Sequence, residues 1–392
     1  MNGETRARAG SGVPRMGVLK SLLFGLPMML LTALLITGGQ AVPKDPLLLV
    51  SVALTWVFFN VSFFRMLTTG RTFALRSTLF IAMAVGFVIT FTTALVSARG
   101  SLALSGADVI QGKTPFCHLV IPAVILPGII TRTIVFPGSL VGTFASIGSM
   151  FVIWIGATLA LGKAWCSWIC FFGGLDEGFS RIGRKPRIRS ISRAWTYLPF
   201  AVLVAVVLIS AVSLSPFYCE WLCPFKSVTE FPAVTSSLVL VQTVIFVALF
   251  LALVVVLPLL MKRRAQCGLF CPFGAFQSFA NGITAFDIRI DPGACTECGL
   301  CVRTCPTFSL TEESVKAGKT LITCTRCGKC IDVCPAGAAS YHVKGTGPGA
   351  SRTAARVLFL MPAFLFLSAF GGGMISTALW RLLKLATTGS MF

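Results

Sequence analysis

Fifteen cysteines and two histidines supply most of the reactive chemistry in this chain of 392 residues. Eight of the cysteines form two runs, Cys295-x2-Cys298-x2-Cys301-x3-Cys305-Pro306 and Cys324-x2-Cys327-x2-Cys330-x3-Cys334-Pro335. Three closely spaced cysteines on a tight loop can supply three corners of a [4Fe–4S] cube. In proteins that hold two cubes this way, the fourth cysteine of each run ligates the other cube. On that rule Cys295, Cys298, Cys301 and Cys334 hold one cube, and Cys324, Cys327, Cys330 and Cys305 hold the second. Gly299 and Gly328 give the loops room, and the prolines turn the chain away. A four-cysteine zinc site also uses C-x2-C, but two complete runs, each ending in Cys-Pro, point to cubes. Such a pair relays single electrons and does no substrate chemistry of its own. Its potentials depend on hydrogen bonds, burial and charge around the sulfurs.

Six more cysteines come as three C-x3-C pairs: Cys166-Ser-Trp-Ile-Cys170-Phe-Phe, Cys219-Glu-Trp-Leu-Cys223-Pro-Phe and Cys267-Gly-Leu-Phe-Cys271-Pro-Phe. Each follows an apolar stretch and carries a Phe two residues after its second Cys, so the three form an internal repeat. On a helix, residues i and i+4 share a face, so both sulfurs of a pair are expected to point at one ligand. Taken singly, such cysteines are often small buried hydrophobes; the repetition favours ligation. Cys117 stands outside these patterns, with His118 beside it. A haem held by two histidines would need both His118 and His342, which lie in unrelated regions.

The elements that must position these groups are membrane helices. The chain is 55% hydrophobic and only 12% charged, where a soluble domain carries about 25% charged residues. Apolar runs long enough to cross a bilayer predict seven spans at roughly 18–38, 47–66, 77–97, 139–162, 196–217, 233–261 and 356–379. The first run lacks a small-residue cleavage site and is expected to stay as a helix. Gly371, Gly372 and Gly373 interrupt the last one, where a re-entrant or interfacial segment is the alternative, and are expected to serve packing or a kink. The stretch 117–138 is apolar but broken by Pro122, Pro127 and Pro137, and is expected to be an outer loop dipping into the bundle. The expected fold class is an α-helical polytopic membrane protein with a small inserted α+β domain holding two cubes. Its parts are a tail at 1–17, a helical domain at 18–285 with the three pairs, the two-cube domain at 286–345, and a terminal span and tail at 346–392. The small domain has no apolar run, and clusters rather than a core are expected to hold it together.

Of the 33 Lys and Arg, 26 fall in the alternate loops 1–20, 65–77, 163–195 and 262–356. The positive-inside rule puts those loops, and the two-cube domain, on the cytoplasmic side of a bacterial inner (plasma) membrane. This distribution also accounts for the net charge of +20 without a nucleic-acid partner. The first and third pairs then share the cytoplasmic edge, where Cys166, Cys170, Cys267 and Cys271 are expected to hold a third iron–sulfur cluster. The middle pair is expected at the opposite edge. There Cys219, Cys223, Cys117 and His118 would form an outer metal site, with a Cys219–Cys223 disulfide as the alternative. Clusters at both edges would shorten electron hops across a core about 30 Å thick. A quinone between Trp168, Trp221, Phe171 and Phe172 is a second possibility for the inner edge. Asp176 and Glu177 could take the quinol protons, but the reading favoured here makes them solvated loop acids.

Residues 139–342 resemble the polyferredoxin membrane family that includes NapH, MauN, the C-terminal half of NosR and CcoG. The resemblance rests on the two cysteine runs and on the Cys-x3-Cys-Pro motifs at Cys219–Pro224 and Cys267–Pro272. It implies electron transfer between the quinone pool or cytoplasmic donors and an extracytoplasmic partner, often a metalloenzyme or its maturation system. Phe171 stands where the family motif has Pro. The third pair and the Cys117-His118 dipeptide are additions to the expected pattern. The leading expectation is therefore a membrane electron-transfer subunit, such as a quinol dehydrogenase module, working with redox proteins in the bilayer. The alternative is an iron–sulfur sensor or a maturation factor for a metalloenzyme, which needs the same ligands. Metal transport would need intramembrane carboxylates or histidines along a path, and the spans have almost none. No P-loop and no dinucleotide fingerprint follows a strand.

Overall fold

The structure, a computed structural model, describes residues 15–37, 39, 43–97, 117–134, 147–183, 185–189, 191–229, 236–347 and 351–391. Seven helices among them are long and apolar enough to cross a membrane. The first three are α1 (Val18–Thr37), α2 (Pro46–Thr69) and α3 (Thr72–Ser97). After α3 the described chain resumes at Cys117, and a short apolar helix, α4 (Ile121–Thr131), follows His118. The expected fourth span starts at 139, but 139–146 lie outside the described residues. Its described part is α5 (Ile147–Leu161), which continues through tight turns into α6 (Phe171–Arg181). Then come α7 (Leu198–Ser213), α8 (Ser237–Leu249), whose helical path runs on to Met261, and α9 (Pro272–Ile283). The last span is α12 (Arg352–Thr388).

Local sequence explains the boundaries. Asp45 caps α2, its carboxylate accepting from Leu47 N at 2.9 Å, and Pro46 occupies the first helical position, where a missing N–H costs nothing. The other oxygen of Asp45 accepts from Trp380 Nε1 at 2.8 Å, tying α2 to the far part of α12. Helix α12 corrects the expected interruption: it runs through Gly371–Gly373 as one helix of 37 residues, about 55 Å long. Gly371 and Gly372 serve packing, against Met83 of α3 and Ile36 of α1, while Gly373 faces open space. A Cβ on Gly372 would lie 2.5 Å from Ile36 of α1, and one on Gly86 of α3 would lie 2.9 Å from the Met374 carbonyl.

Between α9 and α12 lies the two-cube segment. Strand β1 (Phe286–Ile290) pairs antiparallel with β2 (Ala339–Val343), Ile288 opposite Tyr341. Two short helices, α10 (Leu300–Thr304) and α11 (Lys329–Val333), follow the two cysteine loops. The expectation that clusters alone hold this segment gives way to a shared core. Ile288, Ile290, Leu310, Ile331 and Tyr341 belong to one continuous buried cluster with the membrane helices. Tyr341 stacks on Phe359 of α12 with ring centroids 4.6 Å apart.

One contact ties α11 to α3. The Asp332 carboxylate accepts from Thr72 N (3.1 Å) and Phe73 N (2.9 Å), so a residue between two cluster cysteines caps a membrane helix. Arg356 of α12 donates to Thr72 Oγ1 at 3.1 Å from the other side. Burial pushes the Asp332 carboxyl up to about 6, against the pull of those backbone N–H groups. Asp332→Ala should lower stability by about 0.5–2 kcal/mol, the worth of a lost cap, read as an earlier thermal unfolding midpoint in detergent. Asp332→Asn keeps an acceptor without the buried charge and should melt like the parent. Equal melting of the Ala variant would show that the cap contributes nothing.

Candidate metal centres

The two cysteine loops share one backbone design. Glu297 and Arg326 occupy equivalent places in Cys-Thr-Glu-Cys-Gly and Cys-Thr-Arg-Cys-Gly, and both are left-handed, at φ 50° and 49°. Gly299 (φ 65°) and Gly328 (φ 81°) follow, each capping its short helix. A left-handed residue costs about 1–2 kcal/mol without glycine, so the loops are held in this shape by what surrounds them. The first loop borders a cavity of about 180 Å³ lined by Cys295, Cys298 and Cys301 together with Cys334 from the end of the second run. These are the four cysteines that the spacing rule groups around one cube. Cys298 is exposed, so this end of the segment meets solvent.

The second loop faces the helices. Arg326 is buried and donates to the Leu161 carbonyl at 2.8 Å, while Trp168 Nε1 and the Tyr341 hydroxyl donate to the Arg326 carbonyl. Asn281 of α9 donates to the Cys324 carbonyl at 2.8 Å. Arg264 N donates to the Pro306 carbonyl, beside Cys305, at 2.8 Å. Burial pushes the Cys305 thiol up to about 12, so a thiolate there needs a positive partner such as a metal cluster, which deprotonates coordinating thiols. Cys324, Cys327 and Cys330 surround it electrostatically.

The membrane pairs depart from the expected i, i+4 helix face. In each, the first cysteine lies in a tight or wide helical turn, and the second has extended backbone just before a helix resumes. Cys170 (ψ 102°) caps α6, Cys223 has ψ 107°, and Cys271 (ψ 113°) caps α9. Pro224 and Pro272 impose this, because a residue before proline is barred from helical geometry. Cys170 adopts it without a proline. The sulfur of Cys271 accepts from Gly274 N at 3.4 Å, and the positive helix end favours a thiolate at such a cap. Cys170 lies within electrostatic reach of Cys166, Cys267 and Cys271, and Cys271 within reach of Cys166 and Cys223.

The middle pair is not confined to the far edge. Arg193, just before α7, pairs with Glu313 of the two-cube segment at 3.2 Å, so α7 runs away from that segment for about 24 Å. The chain then turns back inward. Phe225 stacks on Phe172 at 4.2 Å, and Gln266 Nε2 donates to the Tyr218 hydroxyl at 3.4 Å. Cys117 and Cys223 are electrostatic neighbours of Cys271, and Cys219 of Cys117 and Cys223. His118 corrects its expected place: its Nε2 lies 3.2 Å from Cys170 Sγ, within a nest of Trp165, Phe171, Phe172 and Phe273. Residues expected at the inner and outer edges therefore meet, His118 lying beside Cys170, and irregular backbone in a membrane is tolerated where other helices bury it. His342 instead pairs with Asp287 on the sheet, at 3.1 Å.

Two more expectations change. Asp176 and Glu177 are buried rather than solvated. Glu177 pairs with Arg76 at 2.5 Å and Arg264 at 3.7 Å, and Asp176 accepts from Cys267 N at 2.9 Å. Of the aromatics expected around a quinone, Trp168 packs on Phe359, and Phe171 is stacked on Phe87. The buried cations Arg264 and Lys163 went unnoticed in the sequence, yet a signal was there. Each stands three residues before a paired cysteine, in Lys163-Ala-Trp-Cys166 and Arg264-Ala-Gln-Cys267. Among the described residues, no three Cys, His, Asp or Glu side chains converge on a single-ion site; a cube holds its thiolates farther apart.

Comparison with known proteins agrees with this donor set. The 4Fe-4S binding domain family matches three times, at 143–189, 195–238 and 243–290, one match per cysteine pair. The third pair is thus a further copy of one unit rather than an addition. The 4Fe-4S dicluster domain matches 287–335. Among curated relatives, the Escherichia coli protein YccM, named for electron transport, is 26% identical over 43% of this chain and 48% of its own length. The ferredoxin-type protein MauN of Methylobacillus flagellatus, named for methylamine utilization, is 26% identical over 47% of this chain and 60% of its own. The ferredoxin-type protein NapH of Haemophilus influenzae is 27% identical over 41% and 53%. The chain thus spans about half the length of these relatives. No solved structure matches.

Close backbone approach keeps the first pair in place. A Cβ on Gly174 would lie 2.6 Å from the Phe80 carbonyl of α3. Gly174→Val should cost about 1–3 kcal/mol as overpacking does, seen as an earlier unfolding midpoint with loss of iron. An unchanged midpoint and iron content would mean that α6 and α3 can separate freely.

Proposed function

We propose that this chain, which belongs to the NapH/MauN-type polyferredoxin family, carries single electrons along a column of cysteine-held clusters into its helical bundle. It is an iron–sulfur electron-transfer protein with helices suited to a membrane. The observation that supports the finer reading is the change in burial along the cysteine groups. Cys298 is exposed at one end, Cys305, Cys327 and Cys330 are buried against the helices, and the membrane pairs adjoin in the interior.

A [4Fe–4S] cube, where bound, stores or releases one electron. The residues of the chain do the rest. Cys295, Cys298, Cys301 and Cys334 hold the entry cube at the solvent face, where a soluble redox protein can dock. Cys324, Cys327, Cys330 and Cys305 hold the second. Asp332, Arg326 and Asn281 fix that half of the segment against the bundle. Cys166, Cys170, Cys267 and Cys271 hold a third cluster. Cys219, Cys223 and Cys117 lead onward toward the far side, with His118 packed against Cys170. The Lys and Arg distribution supports a cytoplasmic two-cube segment in a bacterial inner membrane. The acceptor across the membrane is then an extracytoplasmic redox protein. A quinone is the other candidate, and the close aromatic packing around Phe171 and Trp168 favours the protein acceptor.

Iron and acid-labile sulfide on anaerobically purified protein test this reading. About eight irons, as for two cubes, would confine the clusters to residues 286–345 and leave the membrane pairs structural. About twelve or more supports the column. Cys170→Ser and Cys271→Ser should lose equal iron, and unequal losses would break their assignment to one cluster. Cys298→Ser should strip the entry cube and stop reduction by a soluble donor; full reduction would refute its role as the entry.

A further inference from the structure

The membrane-edge cysteines are surrounded by buried positive charge. Arg264 is fully buried. Its guanidinium donates to Cys267 Sγ at 3.2 Å, to Ser167 Oγ at 2.8 Å and to the Cys166 carbonyl at 2.5 Å. Gly173 leaves the space for it, since a Cβ there would lie 2.7 Å from Arg264 Nη2. Lys163 is 4% exposed, and its ammonium donates to the Ser278 hydroxyl at 2.7 Å. Cys166, Cys271, Cys267 and Cys324 lie within electrostatic reach of Lys163.

Burying a cation costs several kcal/mol unless an opposite charge answers it. Glu177 answers Arg264 only in part, because it lies closer to Arg76, at 2.5 Å against 3.7 Å. Asp176 sits nearby with one oxygen bound to Cys267 N and the other without a hydrogen-bond partner. The hydrogen-bond partner of Lys163 is a neutral hydroxyl. The sulfurs within reach of both cations are those of Cys166 and Cys267. Both cations stand at the same place in the repeat, three residues before the first cysteine of a pair. The middle pair has Pro216 there instead.

We propose that Arg264 and Lys163 are positioning residues that raise the reduction potential of the cluster at Cys166, Cys170, Cys267 and Cys271. This rests on the reading that these four cysteines hold a cluster. An added electron increases the negative charge on the cluster, breaks no bond and requires no proton. Fixed positive charge and a hydrogen bond to a ligating sulfur favour that reduced state. The main-chain N–H of Arg264 also reaches the Pro306 carbonyl, so one residue touches both this site and the turn beside Cys305. An electron leaving the second cube thus meets an acceptor whose potential is held up from the protein side.

The test uses full-length protein purified anaerobically in detergent, with iron content and an EPR-monitored redox titration. Arg264→Met and Lys163→Met should each keep the parent iron content and shift one cluster signal to lower potential. That signal should move more than those of the two ferredoxin-type cubes. Arg264→Lys, which keeps charge but not the forked hydrogen bonds, should shift less than Arg264→Met. Either Met variant with full iron and unshifted potentials would overturn the proposal. If one Met variant loses iron, the titration of the other decides, and loss of iron in both overturns the tuning role. Parent protein with only about eight irons would instead remove the cluster itself, a separate failure visible before any variant is made.

Discussion

Cysteine sulfur and fixed positive charge buried together inside the helical bundle are the constraint on which the rest of this molecule depends. A thiolate taken out of water is costly unless metal, hydrogen bonds and fixed cations compensate it. Every unusual feature around the cysteines answers that need. Helix ends point at Cys170 and Cys271, Gly274 N reaches a sulfur, and Arg264 and Lys163 bring charge into the interior. The acids that partner the cations are buried in turn, which is why Asp176 and Glu177 leave solvent.

The same condition dictates the broken helices. Regular helices satisfy their own backbone and present few N–H groups to a ligand. The chain therefore interrupts its spans at the three pairs, and tolerates the irregular backbone because other helices enclose it. Glycines at 173 and 174 let α6 press against α3 and against the Arg264 guanidinium. The membrane half and the two-cube half become one packed body, with Asp332 capping α3 and Phe359 receiving Tyr341. Such welding keeps neighbouring redox groups at constant separation, which an electron relay requires and a loosely tethered domain would not supply.

Much of this was legible in the residues alone. Contiguous loops carry their own ligand spacing, so the two cysteine runs pointed to their cofactor class without help from the fold. Apolar run length is likewise a local property, and the seven spans follow from it. What tertiary structure decided was how distant segments meet. The stretch after α7 is compatible with a loop lying at the far edge or turning back inward, and the hydropathy is the same in both cases. Only packing of Phe225 on Phe172 and of Tyr218 against Gln266 selects the inward path. His118 joined Cys170 rather than the middle pair for the same reason: the two lie 52 residues apart, and no local pattern encodes a through-space contact of that kind. The triple glycine of α12 could signal a kink or a packing seam, and only the neighbouring α1 and α3, which need the room, decide between them.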